Sequence, residues 1–127
     1  MANEIKVSLS IVYENGTLKY QYQPGTVNLP QTTKGFLSQV IPATTAEADL
    51  SIPGITSQGL FLLHNLESTT TGKTFNWGIK SSTGGLPKWF ILPPKQIAIV
   101  RYGTTADVIR GKAASGTLSV QAILFEV

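Results

Sequence analysis

Three features of this sequence predict an all-β chain: a single antiparallel β-sandwich, jelly-roll-like in its connections, with little or no helix. Short apolar or alternating runs recur at a spacing of roughly 8–12 residues, with turn residues between them. No span between glycine or proline breakers carries an apolar 3.6-residue period for three turns, so helices have no place to form. The clearest pair of runs flanks Asn15-Gly16, a dipeptide suited to a two-residue hairpin turn. No repeat of fixed period is present, which removes propellers and solenoids. At 127 residues the chain is expected to be one domain, 1–127, long enough to bury a core of its own.

The first hairpin is expected in IKVSLSIVYENGTLKYQYQ, with Asn15 and Gly16 as the turn. That register sets Tyr13 opposite Leu18 and Ile11 opposite Tyr20. One face then carries Ile5, Val7, Leu9, Ile11 and Tyr13 against Leu18, Tyr20 and Tyr22, and the other is mostly polar. From Pro24 to Gln58 the breakers leave short pieces, of which Thr26–Leu29, Gly35–Ile41 and Ala46–Ile52 fit strands. The alternative for part of this stretch is a two-turn helix over Ala43–Leu50, capped by Thr44 or Thr45.

The stretch Gln58–Lys80 reads as a central hairpin. Leu60-Phe61-Leu62-Leu63 is apolar on both faces, as in a strand covered on both sides. The return run alternates Phe75, Trp77 and Ile79 with Asn76, Gly78 and Lys80, and a Ser/Thr-rich loop over Glu67–Lys73 joins the two. Further strands are expected at Lys88–Leu92, Gln96–Tyr102, Thr105–Ala113 and in TLSVQAILFEV. In that last strand Leu118, Val120, Ala122 and Leu124 share one face. The second half is apolar on both faces, so it is expected to be central or covered by another subunit.

Composition excludes several chemistries. There is no cysteine, hence no disulfide and no thiolate metal site. The first residues lack a basic region followed by an apolar stretch, and no window approaches the ~20 apolar residues of a membrane helix, so neither secretion nor membrane insertion is expected. Charged residues make up only 13%, against about 25% in a typical domain. Residues 1–63 hold three Lys and four acids, and residues 64–127 hold seven Lys and Arg against three acids. The basic residues of the second half are dispersed, so they read as solubilising charge and no specific nucleic-acid partner is expected.

A catalytic constellation is not found. The single histidine, His64, follows an apolar run and reads as a structural hydrogen-bonding group. Glu47 and Asp49 would share a strand face, but nothing around them resembles a Ca²⁺ loop. Thr71-Gly72-Lys73-Thr74 lacks the first glycine and the strand-to-helix setting of a phosphate loop. No cofactor, metal or catalytic residue is assigned, and the chain is expected not to be an enzyme. Among the aromatics, Phe75, Trp77, Tyr20 and Tyr22 are expected in the core. Trp89 and Phe90, beside Lys88, are adjacent on a strand and face opposite ways, so Lys88, Trp89 and Phe90 are the candidate interface residues.

The order of segments resembles a family of small virion proteins of tailed bacteriophages. It is carried by Ile5–Tyr13 with Asn15-Gly16, Gln31-Thr32-Thr33-Lys34-Gly35, and Leu60-Phe61-Leu62-Leu63-His64-Asn65-Leu66. Asn76-Trp77-Gly78 and the run LPPKQIAIVR (Leu92–Arg101) complete it. The resemblance implies a β-sandwich or jelly-roll subunit present in many copies in the virion. The expected function is a capsid decoration or cement protein, homo-oligomeric, with the major capsid protein or other virion structural proteins as partners. The alternatives are a head–tail connector or tail component, or a carbohydrate-binding β-sandwich module.

Overall fold

A computed structural model of the chain describes residues 4–30, 36–50, 58–68, 73–80, 90–101 and 108–126. Their backbone contacts divide the chain into two compact units, Met1–Lys34 with Val127, and Gly35–Glu126. Every regular element among the described residues is a strand, and the strands pair antiparallel.

The first unit is one interrupted hairpin. β1 (Glu4–Ser8) pairs with β4 (Thr26–Pro30), and β2 (Ile11–Asn15) pairs with β3 (Leu18–Tyr22). Between the paired segments Leu9-Ser10 on one side faces Gln23-Pro24-Gly25 on the other, so the return arm holds one extra residue. Pro24 has no N–H to give a ladder, and Gly25 takes φ 83°, which suits glycine alone. Side chains bridge the gap instead: Ser8 and Thr26 hydroxyls lie 3.0 Å apart, and Gln23 Nε2 donates to Ser10 Oγ at 3.1 Å.

The hairpin turn is Gly16-Thr17, and this corrects the expected register. Tyr13 lies opposite Tyr20 and Ile11 opposite Tyr22, two residues along from the pairing that an Asn15-Gly16 turn would give. Gly16 has φ 60° while Thr17 keeps negative φ, as in a type II′ turn, where glycine comes first. A slip of two leaves every side chain on its expected face.

Among its described residues the second unit contains eight strands in two four-stranded sheets. They are β5 (Phe36–Ala43), β6 (Ala48–Asp49), β7 (Gln58–Asn65), β8 (Phe75–Lys80), β9 (Phe90–Leu92), β10 (Ile97–Arg101), β11 (Val108–Ala113) and β12 (Leu118–Glu126). One sheet has the order β10-β7-β12-β5, the other β6-β11-β8-β9. The pairs are nested: β5 with β12, β6 with β11, β7 with β10, β8 with β9. This is one long hairpin rolled over itself, the connectivity of a jelly roll. The expected all-β sandwich is therefore present, while the expected central hairpin is not. β7 and β8 lie in different sheets, because each finds its hairpin partner further along the chain. The helix alternative over Ala43–Leu50 also fails, since β5 runs to Ala43 and Thr44 Oγ1 accepts from Ala46 N at 3.3 Å in a local turn.

The core lies between the two sheets. Phe61, Leu63, Val120, Ala122 and Leu124 from one sheet meet Phe75, Trp77, Ile109 and Leu92 from the other. Their alternation is the one read from the last strand, with Leu118, Val120, Ala122 and Leu124 inward. Tyr20 and Tyr22, expected in the core, are instead 58% and 47% exposed on the ribbon of the first unit. Asn65 is the one buried polar side chain among the described residues. Its Nδ2 donates to the carbonyls of Lys73 and Leu92, both at 3.0 Å, and its Oδ1 accepts from Glu67 N.

Candidate interaction surface

The two sheets of the jelly roll present opposite kinds of outer face. On the β6-β11-β8-β9 sheet the outward positions are Asp49, Arg110, Lys112, Asn76 and Lys80, with Ile91 on the edge strand. Arg110 Nε donates to Asp49 Oδ1 at 2.6 Å, and Glu47 lies 3.8 Å from Arg110 and 3.5 Å from Lys112. The hydrogen bond from Arg110 holds the Asp49 carboxyl below its ordinary range, with partial burial opposing and the charges of Arg110 and Lys80 assisting. This is a sheet face built for water.

The β10-β7-β12-β5 sheet carries apolar side chains on both faces. Its inward residues make the core. Outward it turns Phe36 and Val40 from β5, Ile123 and Phe125 from β12, Leu60 and Leu62 from β7, and Ile97 and Ile99 from β10. Phe36, Val40, Ile97 and Ile99 are 66%, 55%, 56% and 47% exposed. Phe36 and Phe125 stack with ring centroids 5.9 Å apart. Leu60 is buried but stands outside the core cluster. A strand with apolar side chains on both sides belongs under two layers. Here one layer is the other sheet, and on the outer side Phe36, Val40, Ile97 and Ile99 stay about half exposed or more.

The first unit has a smaller surface of the same kind. On its β2–β3 ribbon Ile11, Tyr13, Leu18, Tyr20 and Tyr22 share one exposed face, while Glu14, Lys19 and Gln21 occupy the other with Val12. Two strands alone are marginal in water, so this ribbon also gains from a cover.

Of the residues expected at an interface, Lys88 and Trp89 lie outside the described residues. Phe90 is on the edge strand β9, opposite Trp77, with its ring centroid 5.0 Å from the indole. It is 53% exposed and serves as a rim over Trp77, while Ile91 beside it faces outward and is 70% exposed. The larger apolar surface is elsewhere, on strands that pattern reading did mark, since Leu60–Leu63 and the end of the last strand are apolar on alternate residues of both parities.

His64 lies on the same outer face, between Gln121 and Ile97 in the register. Glu47 and Asp49 are engaged by Arg110 and Lys112, and no group of three metal-ligating side chains occurs among the described residues. No family model matches the chain, and no curated protein and no solved structure matches it either.

Proposed function

We propose that the chain is a non-enzymatic structural protein of a tailed-phage virion, a multi-copy decoration or cement protein that binds and stabilises the capsid shell. The observation that carries an assembly role is the contrast between the two outer faces of the jelly roll. A water-facing sheet in this protein carries Arg110, Lys112, Asp49 and Lys80, whereas the other sheet turns Phe36, Val40, Ile97 and Ile99 outward. Each such side chain is about half exposed and so gains about half of the roughly 1.5–3 kcal/mol of full burial, which is a drive toward association. The phage setting rests on the resemblance of segments such as Leu60–Leu66 and Leu92–Arg101, and jelly rolls are a common architecture of capsid proteins. Fold analogy alone does not assign a function.

In this reading the partners are the major capsid protein and further copies of the chain, and the site of action is the virion. Quantitative mass spectrometry and immunogold labelling of purified particles test it. The expected result is labelling of heads, with a copy number proportional to that of the major capsid protein. Absence from the particles, or labelling confined to tails, overturns the decoration reading.

A second reading is favoured by one observation. Tyr13, Tyr20 and Tyr22 stand exposed on one ribbon face, an arrangement on which sugar rings could stack. A carbohydrate-binding module would show tyrosine fluorescence changes on titration with glycans, and a flat titration excludes it.

A further inference from the structure

The outer face of the β10-β7-β12-β5 sheet is ordered so that it complements its own reversal. Counted from the β5 edge, its rows read Phe36, Phe125, Leu60, Arg101, then Ser38, Ile123, Leu62, Ile99, then Val40, Gln121, His64, Ile97. Turn a second copy over about an axis parallel to the strands, and β10 of one copy covers β5 of the other. Val40 then meets Ile97, Ile123 meets Leu62, and Gln121 meets His64. Arg101 comes over Phe36, a guanidinium on an aromatic face. Ser38 falls opposite Ile99, but its hydroxyl is already taken by Gln121 Nε2 at 2.6 Å. That bond leaves the Gln121 carbonyl oxygen available to an imidazole N–H.

We propose that this face docks a second copy of the chain, face to face with strands aligned, in the reversed row order. Charge selects this occupant. Of the residues in these three rows, Arg101 alone carries a permanent charge, so an acidic surface or a nucleic acid finds too few cations to hold it. The reversal also sets the two Arg101 side chains at opposite edges, so self-stacking brings no like charges together. Aligned sheets stack about 10 Å apart with interdigitated side chains, which the alternation of Phe36, Ser38 and Val40 permits.

Size sets the strength. From strand spacing and rise, the three rows over four strands cover roughly 20 by 20 Å, about 400 Å². That falls in the ~300–600 Å² range where an apolar patch is often functional. It is below the ~800 Å² per partner of a standard interface, so the pair forms in a concentration-dependent equilibrium.

The chain has no cysteine, so an introduced pair reports the register without background. Facing positions on sheets about 10 Å apart lie just beyond a direct disulfide, so the test is the full chain carrying V40C and I97C together, bridged with a one-carbon bis-methanethiosulfonate and run without reductant. Within one copy these positions lie on opposite edge strands, about 14 Å apart across three strand spacings. So short a bridge reaches a facing sheet but cannot span that distance within one copy, so a covalent product must join two copies. The expected result is a covalent dimer as the main product of the double variant, with V40C alone and I97C alone remaining monomeric. No dimer from a double variant whose melting matches wild type overturns the proposal, as does equal dimer from either single variant. The inference shares its surface with the virion reading but is read without shells. A dimer that is absent from particles removes the virion role and leaves the face, and particle labelling without the cross-link does the reverse.

Discussion

The ring of Phe75 occupies the space beside Gly111 where any other residue would carry its Cβ. A methyl group built on Gly111 would lie 2.6 Å from Phe75 Cε2 and closer still to Cζ. Phe75 is fully buried at the centre of the core and Gly111 sits on the neighbouring strand, so neither side can retreat. Gly111→Ala is therefore expected to destabilise by about 3 kcal/mol or more, the upper range for overpacking. Urea unfolding followed by fluorescence checks this, and adding Phe75→Leu should recover part of the loss.

Asn65 ties three chain segments together at one end of the sandwich. Asn65→Leu removes the partner of the Leu92 and Lys73 carbonyls and of the Glu67 N–H. A buried group left unpaired costs about 1–3 kcal/mol, so a loss of roughly 2–3 kcal/mol is expected in the same unfolding measurement. Asn65→Asp should be damaging too, because a carboxylate offers no N–H to the two carbonyls.

Lys95 stands where a turn favours glycine. Gln96 N donates to Pro93 O at 3.2 Å, with Pro94 and Lys95 between, and Lys95 has φ 63°. This is a type II turn, whose third residue needs positive φ. A side chain in that region costs about 1–2 kcal/mol, and glycine returns some of the gain through unfolded-chain entropy. Lys95→Gly is expected to raise stability by about 0.5–1 kcal/mol net of these two effects. An unchanged or lowered urea midpoint would contradict the turn assignment.

The Asp49–Arg110 pair gives a pH signature. The carboxyl of Asp49 is depressed by the Arg110 hydrogen bond, so its folded value lies below its unfolded one. Its contribution is then complete above the unfolded value of about 3.9 and is lost as pH falls through the folded value. Asp49→Asn should lower the melting temperature modestly at neutral pH, since the pair is half exposed. The difference from wild type should close as the pH drops below about 4, the ordinary aspartate range. A difference that persists into stronger acid would contradict this pairing.

Strand positions were legible because alternation fixes which side chains turn inward. Leu118, Val120, Ala122 and Leu124 are buried together as their spacing requires. Register was not legible at the first hairpin, since a slip of two preserves both faces and the two turns differ at Asn15, which needs positive φ in an Asn15-Gly16 turn and keeps strand φ here. The pairing of β7 was hidden for another reason. Its apolar run suits any central strand, and its hydrogen-bonding partners, β10 and β12, lie tens of residues away. The outer apolar face was present in the pattern as runs with no polar parity, at Leu60–Leu63 and Ile123–Phe125. Its extent emerged only when the fold set Phe36, Val40, Ile97 and Ile99 beside them. Tyr20 and Tyr22 misled because an apolar face implies burial somewhere, and on this ribbon both stay about half exposed.

The central claim is that the outer sheet face drives association of the chain with itself. Light scattering over a concentration series, on wild type and on Ile99→Glu, tests it most directly. Wild type should rise from 13.6 kDa toward twice that mass as concentration increases, and Ile99→Glu, with unchanged melting, should stay at 13.6 kDa. A wild-type mass fixed at the monomer value at every concentration, or an Ile99→Glu variant that associates as wild type does, would contradict the account.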